Sequence, residues 1–247
     1  MSETPSWAKQ QRLDKVVSFW NSTASWRARY FVNLREADPA ALSSPLQMQR
    51  EFVMGEDLVI DCEVKWALAV VDLGCGVGRS LLPGIRAYPG KQFVGIDLSD
   101  QQIDEFAGVL AREGHKNASA VLGDARYVPL PSGWADLVIV CNQTFGTFLG
   151  PMREAVVLEI TRLLRQGGRL YIGGFDNIGI AARLYRTWGV PIVSVDLENQ
   201  FVTLRDYSSW WQDSEDVTAV LADYQFRLAE SRRVRLGYLN TYTYLAG

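Results

Sequence analysis

Three glycines fall within five positions of the stretch VVDLGCGVGRS, residues 70–80, directly after a short apolar run. Gly74, Gly76 and Gly78 free the backbone to bend sharply and to approach a ligand closely. Asp72 lies two residues before the first glycine, so a carboxylate accompanies this glycine loop. A buried strand followed by a glycine-rich turn is typical of a site for a nucleotide-containing cofactor.

The spacing of the glycines separates two kinds of cofactor. A dinucleotide-binding loop has the pattern G-x-G-x-x-G, in which the third glycine lets the next helix pack closely on the strand. Counted from Gly74, that third position holds Arg79. The carboxylate of Asp72 would also repel a pyrophosphate. The loop therefore favours a cofactor without phosphate groups.

Two further carboxylates lie at the ends of predicted strands. Asp97 closes the run QFVGID, where a carboxylate can accept hydrogen bonds from two ribose hydroxyls. Asp124 closes the run SAVLGD. Ligands of open α/β sheets bind beyond the carboxyl ends of the strands, so both side chains are expected near the glycine loop. The alternatives are a solvated strand end for Asp97, a turn residue for Asp124 and helix packing alone for Gly78.

The pattern D-x-G-x-G-x-G at residues 72–78, with these strand ends, resembles class I S-adenosylmethionine-dependent methyltransferases of the small-molecule type. The resemblance covers residues 65–176 and extends to about the last 35 residues. It implies S-adenosylmethionine as cofactor, with Asp72 near its ammonium group, Asp97 on its ribose and Asp124 on its adenine amino group. The cofactor-binding residues implied in and after the strands are Asp72, Gly74, Cys75, Gly76, Gly78, Asp97, Leu98, Asp124, Ala125 and Asn142.

The predicted fourth strand ends in Asn142-Gln143-Thr144-Phe145. This stretch resembles the N-P-P-[YF] motif of amino-group methyltransferases, although both prolines are replaced. The matching positions, Asn142 and Phe145, are compatible with an amine acceptor without establishing one. Asn142 is the first candidate catalytic residue, and its alternative role is to form a turn.

Aromatic residues are frequent in the segments on either side of the core. Trp20 and Tyr30 lie on a predicted N-terminal helix and are expected to contact the cofactor, because aromatic faces attract sulfonium and ammonium cations. Tyr185 and Tyr207 lie on or near a later insertion and are the other two candidate catalytic residues. Each of the four could instead belong to the core.

Composition excludes several classes of protein. The chain has 247 residues, 21% of them charged and 48% hydrophobic, which is ordinary for a globular domain. A net charge of −3 argues against a nucleic-acid partner, and no stretch is apolar enough for a membrane span. Three cysteines without C-x-x-C spacing predict reduced thiols, no metal site and a cytoplasmic location.

The predicted fold is α/β: a Rossmann-like doubly wound sheet, mostly parallel, with an antiparallel C-terminal hairpin strand. An N-terminal helical lid is expected over 1–66, with helices at about 10–35 and 46–66. The S-adenosylmethionine-binding core follows over 67–176, a lid insertion with strand character over 177–213, and a helix and hairpin over 214–247. Ser99 is the predicted N-cap of a helix, with Gln102 as its capping-box partner.

The leading functional hypothesis is methyl transfer to a small-molecule amine or hydroxyl in secondary metabolism. A second possibility is non-methyl chemistry on S-adenosylmethionine, such as cyclisation to azetidine-2-carboxylate with release of methylthioadenosine. A third is a non-catalytic S-adenosylmethionine-binding partner subunit. The single histidine, His115, lies on the expected far side of the sheet, where it is a surface residue rather than a base.

Overall fold

The computed structural model describes residues 13–246, apart from the side chains of residues 25, 28 and 181. Two helices precede the first strand, α1 (Leu13–Glu36) and α2 (Ser44–Trp66). The short 3-10 helix Pro39–Ala41 joins them, and Asp38 caps it by accepting from the backbone N–H of Ala40. Both helices agree with the predicted ranges, and residues 1–12 of the predicted lid lie outside the described part.

Ten strands and five more helices follow in the described residues. The strands are β1 (Ala69–Leu73), β2 (Gln92–Asp97), β3 (Ala118–Leu122), β4 (Ala135–Val140), β5 (Leu164–Phe175), β6 (Ile192–Asp196), β7 (Phe201–Leu204), β8 (Ser208–Trp210), β9 (Phe226–Val234) and β10 (Gly237–Tyr244). The helices are α3 (Leu82–Ala87), α4 (Asp100–Glu113), α5 (Pro151–Leu163), α6 (Ile178–Thr187) and α7 (Ser214–Ala222).

Seven strands form the main sheet in the order β3-β2-β1-β4-β5-β10-β9. β1 to β5 pair in parallel, with Val71 between Val94 of β2 and Val138 of β4. β10 lies antiparallel between β5 and β9, which forms a hairpin with it. The predicted fold class is confirmed.

Neighbouring residues of each buried strand point to opposite faces, so the sheet has a core on both sides. Val70 belongs to a cluster with Phe52 of α2 and Phe106 of α4. Val71, one residue on, belongs to a cluster with Val156 of α5. The described residues contain no helix with the length and apolar composition that a bilayer crossing requires.

The insertion differs from its prediction. Some strand character was expected over 177–213 and no helix was specified; the segment begins with α6 and continues as a separate antiparallel sheet in the order β6-β7-β8. Leu184 and Tyr185 of α6 are buried in the cluster that also contains Phe52. Burial of these side chains against residues from distant parts of the chain stabilises α6, and the local sequence does not show those contacts.

The predicted capping box at α4 is half formed. The Ser99 hydroxyl accepts from the backbone N–H of Gln102 at 3.3 Å, as expected for an N-cap. The Gln102 side chain, however, donates to the Trp20 carbonyl, because the Ser99 N–H already donates to Asp97 Oδ1 at 2.9 Å. Gln102 therefore attaches α1 to α4.

Candidate functional site

The carboxyl ends of β1, β2 and β4 open into one cavity. The cavity lies between β1 and β4. These two strands pair with each other, whereas β2 and β3, which come between them in the chain, lie on the other side of β1. Diverging loops at such a switch point leave a crevice, which is where open α/β sheets bind ligands. The wall includes Gly74, Gly76, Asp97, Asn142 and Tyr207.

The glycine loop turns so tightly that side chains would not fit at two of its positions. Gly74 has φ +75° and Gly76 has φ +54°, a region that side chains disfavour. A Cβ at Gly74 would lie 2.5 Å from Thr144 Cγ2, and one at Gly76 would lie 2.7 Å from Gln102 Oε1. The bare backbone of this loop forms one wall of the cavity, together with Cys75.

Gly78 has a different role from its two neighbours. It is not on the cavity wall, and a Cβ there would lie 2.2 Å from Cδ2 of Phe106 in α4. Gly78 thus lets the loop approach α4, which is the packing role of a glycine. The structure does not support the expected direct cofactor contact at this position.

Asp72 lies beneath the loop rather than on the cavity wall. Its Oδ2 accepts from the Ser80 hydroxyl, and its Oδ1 has no hydrogen-bond partner among the described residues. Burial raises the pKa of this carboxyl to about 7, and the Ser80 hydrogen bond opposes the rise. Asp72 is therefore set back from the cavity wall, and its contact with a ligand ammonium group stays a prediction.

Asp97 faces the cavity and also holds the loop in place. Its Oδ2 accepts from the Gly76 N–H at 2.8 Å and its Oδ1 from the Ser99 N–H at 2.9 Å. Each carboxylate oxygen has a further lone pair, so Asp97 can still accept from two hydroxyls. Burial raises its pKa, and these backbone N–H groups oppose that shift. Leu98, the next residue, also lines the cavity.

Asp124 is turned to a protein partner. Its carboxylate pairs with the Arg126 guanidinium, with Nη2 2.6 Å from Oδ2 and Nε 3.0 Å from both oxygens. Its neighbours Gly123 and Ala125 line the cavity, whereas Asp124 does not. The backbone at this turn is therefore better placed for a ligand than the carboxylate to which the resemblance assigned the adenine contact.

Asn142 lies on the cavity wall in an unusual backbone conformation. Asn142 and Gln143 have φ +50° and +69°, and the Asn142 N–H donates to Glu56 Oε1 at 2.7 Å. The side-chain Oδ1 of Asn142 is buried and has no hydrogen-bond partner among the described residues. A buried acceptor without a partner is costly, so this atom is the clearest candidate to contact a ligand. Gln143, in contrast, is held by Phe175 N–H and the Trp210 carbonyl.

The buried Glu56 is paired with Arg79 at 2.6 Å. Burial raises the pKa of Glu56, and the Arg79 guanidinium opposes the shift. Arg79 also contacts Asp57 at 3.2 Å. The residue that breaks the dinucleotide pattern therefore joins α2 to the loop and lies on the cavity wall.

Three of the four singled-out aromatic residues line the cavity. The ring of Tyr207 lies 5.4 Å from Trp20, and Tyr185 is buried nearby. Burial raises the pKa of both tyrosines. Tyr30 is away from the wall, because its hydroxyl donates to Gln49 and accepts from Trp188 Nε1. Tyr30 holds α1 to its neighbours.

Arg27 and Phe31 of α1 also line the cavity, although neither was predicted as a site residue. They follow Trp20 by seven and eleven residues, so all three lie on one face of the helix. That spacing was a usable signal. His115 lies away from the cavity, with Nε2 2.9 Å from Glu113 Oε2.

Comparison with known proteins agrees with this geometry. A family model described as a methyltransferase domain matches residues 70–168. The chain is 34% identical over 106 residues to nocamycin O-methyltransferase of Saccharothrix syringae, covering 42% of this chain and 37% of that protein. It is 31% identical over 113 residues to a U6 snRNA (guanine-N(2))-methyltransferase of Bos taurus, covering 44% and 22%. The matches thus span well under half of these two relatives.

The crystal structure of Burkholderia thailandensis 1,6-didemethyltoxoflavin-N1-methyltransferase, with 1,6-didemethyltoxoflavin and S-adenosylhomocysteine bound, has a similar fold. Its TM-score is 0.67 at 16% identity, and the match covers 95% of this chain and 89% of that one. The likeness therefore includes the helices and insertion around the core. Residues 70–168 are a methyltransferase domain of the class I S-adenosylmethionine-dependent type, and the chain as a whole shares the fold of this methyltransferase structure.

Proposed function

We propose that this protein binds S-adenosylmethionine and methylates an amine or hydroxyl of a small molecule. We further propose that it acts in secondary metabolism and is located in the cytoplasm. One observation carries the proposal. A single cavity runs from the glycine loop and Asp97 to the aromatic side chains of α1 and the insertion. It therefore offers a cofactor site and an acceptor site that meet at Asn142.

The residues present fit S-adenosylmethionine. Gly74 and Gly76 present bare backbone to the cavity, Asp97 can accept from the ribose hydroxyls, and Asn142 Oδ1 lacks a partner within the described protein. A dinucleotide pyrophosphate is a poorer fit, because Arg79 stands where a dinucleotide-binding loop has its third glycine. Cys75, Leu98 and Ala125 complete the apolar part of this site.

When bound, S-adenosylmethionine supplies a methyl group to an in-line nucleophile and loses its sulfonium charge. The protein's task is then to position and desolvate the acceptor. Asn142 Oδ1 can orient an acceptor N–H or O–H, while Trp20 and Tyr207 offer ring faces to positive charge. We assign Asn142, Tyr185 and Tyr207 to contact with the acceptor.

The cavity wall supplies few groups that could accept a proton. Its described carboxylate, Asp97, holds two backbone N–H groups, and burial raises the pKa of Tyr185 and Tyr207. The one histidine of the chain, His115, is elsewhere. The acceptor must therefore bring a nucleophile that is already available, such as a neutral amine or an ionised hydroxyl.

The elements that cover the cavity, α1 and the insertion, favour a small acceptor. α1 contributes Trp20, Trp26 and Phe31 to its wall, and the insertion contributes Tyr185 and Tyr207. A long polymer would have to pass between these elements. The nocamycin and toxoflavin enzymes support a small molecule, although the U6 snRNA relative has the same domain on a different acceptor.

Product analysis with doubly labelled S-adenosylmethionine, in the methyl group and in the adenosine, tests the proposal. Purified protein is incubated with a panel of small amines and phenols, and with a guanine-containing RNA as comparison. We expect labelled methyl on a small molecule, with equimolar S-adenosylhomocysteine. Release of methylthioadenosine would instead indicate non-methyl chemistry. Binding without any turnover would favour a non-catalytic subunit, and methylated RNA would contradict the small-molecule acceptor.

A further inference from the structure

Arg27 presents a guanidinium to the cavity between aromatic rings. Its Cζ lies 4.5 Å from the ring centroid of Trp20 and 5.6 Å from that of Phe31. Both rings line the same cavity. Aromatic faces on a guanidinium limit how its plane can turn, which suits it to bind a planar anion through two parallel hydrogen bonds.

The charge of Arg27 has no ion-pair partner among the described residues. The neighbouring arginines differ in this respect. Arg35 pairs with Asp57 at 2.7 Å, and Arg79 pairs with Glu56 at 2.6 Å. Asp97 attracts Arg27 over a longer distance, but its oxygens already accept from backbone N–H groups.

A largely desolvated cation without a close anion is unfavourable in a protein interior. Consistently, burial lowers the pKa of Arg27, and the nearby Asp97 and Tyr207 only oppose the shift. A ligand that brought an anion to this point would relieve the imbalance. Asn142 Oδ1 on the same described wall also lacks a hydrogen-bond partner. Because this oxygen is an acceptor, it needs a donor from the ligand and not an anion.

We propose that Arg27 binds a carboxylate belonging to a ligand of this cavity, an inference that rests on the proposed function. Two ligands could supply the carboxylate. One is the methionine portion of S-adenosylmethionine, and the other is an acidic group on the methyl acceptor. In either case Arg27 selects ligands by charge, through a bidentate pair that glutamine at the same position cannot reproduce.

The first arm of the test compares two forms of the cofactor that differ in the carboxylate. Calorimetry measures the affinity of S-adenosylmethionine and of its decarboxylated form for wild type, Arg27→Gln and Arg27→Lys. Arg29→Gln is the matched control, because Arg29 lies two residues away on the exposed side of α1. If the cofactor supplies the carboxylate, wild type and Arg29→Gln prefer S-adenosylmethionine by about ten- to hundredfold, the range for hydrogen bonds to charged groups. Arg27→Gln then binds both forms alike, and Arg27→Lys falls between.

The second arm examines the acceptor side. Wild type and the same variants are saturated with S-adenosylhomocysteine and titrated with sodium benzoate and with its neutral counterpart benzamide. If the acceptor supplies the carboxylate, wild type prefers benzoate, and Arg27→Gln loses that preference while its affinity for S-adenosylhomocysteine is unchanged. Melting curves confirm that each variant is folded.

A preference that depends on Arg27 in either arm supports the inference and identifies the source. Tight binding of S-adenosylmethionine without any such preference in either arm would overturn the Arg27 site alone. A wild-type protein that fails to bind S-adenosylmethionine would remove the proposed function and this inference together.

Discussion

At the scale of single residues, Asn142 and Gln143 combine strain with exposure to the cavity. Two successive non-glycine residues with positive φ cost roughly 1 to 3 kcal/mol each. Hydrogen bonds from their N–H groups to Glu56 and to the Gly173 carbonyl hold this conformation. The result is an amide oxygen directed to a place where the described protein offers it no partner.

Asn142→Ala should lower turnover by about tenfold or more while cofactor affinity stays within about threefold, because an orienting contact acts on the reaction barrier. Turnover and calorimetric affinity measured on the same preparation check this. Gln225→Ala is the control, since Gln225 also has a positive φ of 65° but does not line the cavity. It should lose stability and keep its turnover. Normal turnover in Asn142→Ala would end the catalytic assignment.

Asp72 should make stability depend on pH. Burial raises its pKa from 3.8 to about 7 in the folded state, so the folded protein binds this proton more tightly than the unfolded chain. Its stabilising contribution is complete below about pH 4 and is lost as the pH rises to about 7. Asp72→Asn stays neutral and can still accept from Ser80. Relative to wild type, Asp72→Asn should therefore gain about 2 to 3 kcal/mol in stability between pH 5 and pH 8, which melting curves at each pH measure.

Asp136→Asn is the matched control for this pH series. Burial raises the pKa of its carboxyl, but Arg165 and the backbone N–H groups of Leu68 and Ala69 together outweigh burial and lower it, so Asp136 stays ionised over the whole range. The difference between Asp136→Asn and wild type should stay constant from pH 5 to pH 8. A constant difference for Asp72→Asn as well would show that the Asp72 carboxyl is ionised in the native protein.

At the scale of secondary-structure elements, the glycine loop depends on how closely α4 approaches β1 and β2. Gly78 and Gly95 both lie against the Phe106 ring, where a Cβ would approach within 2.2 and 2.8 Å. The ring is fully buried and cannot move aside without opening the core. α4 therefore sets the shape of the loop that the cofactor needs.

Gly78→Ala should destabilise the protein by roughly 2 to 4 kcal/mol, since it combines a positive φ with overpacking against Phe106. Gly133→Ala separates the two causes. Gly133 has a similar φ of +67° but nothing within 4 Å of its Cβ position, so about 1 kcal/mol is expected. Chemical denaturation of both variants measures the difference. Equal losses would mean that the contact with Phe106 contributes nothing.

At the scale of the whole molecule, the cavity joins elements that are distant in the chain. α1, the strand ends and the insertion all contribute to its wall. Gln102 attaches α4 to α1 through the Trp20 carbonyl, and Trp188 attaches α6 to Tyr30. A ligand that contacts all these elements binds the folded state and should stabilise the molecule as a unit.

S-adenosylhomocysteine should raise the melting temperature with concentration, reaching about 2.7 kcal/mol of stabilisation at a hundredfold excess over its Kd. NADH at the same concentration should leave the melting temperature unchanged, because Arg79 replaces the third glycine that a dinucleotide-binding loop requires. Asp97→Ala should reduce the shift caused by S-adenosylhomocysteine. A larger shift with NADH than with S-adenosylhomocysteine would overturn the cofactor assignment.

The sequence by itself determined the elements and the outline of the cofactor site. Strand periodicity located β1, β2 and β4, and the glycine spacing with Asp97 identified the loop and its carboxylate. These features are local, because a strand end or a tight turn depends mainly on residues next to it in the chain. They were therefore visible before any contact between distant segments was known.

Only the tertiary structure decided which side chains face the cavity. Asp124 is turned to Arg126, Tyr30 to Trp188 and Asp72 to Ser80, although all three residues looked suited to a ligand. Arg27 faces the cavity without an ion-pair partner among the described residues, whereas Arg35 and Arg79 pair with carboxylates of α2. A side chain's direction follows the partners that packing brings to it from distant parts of the chain, and sequence spacing carries no record of those partners.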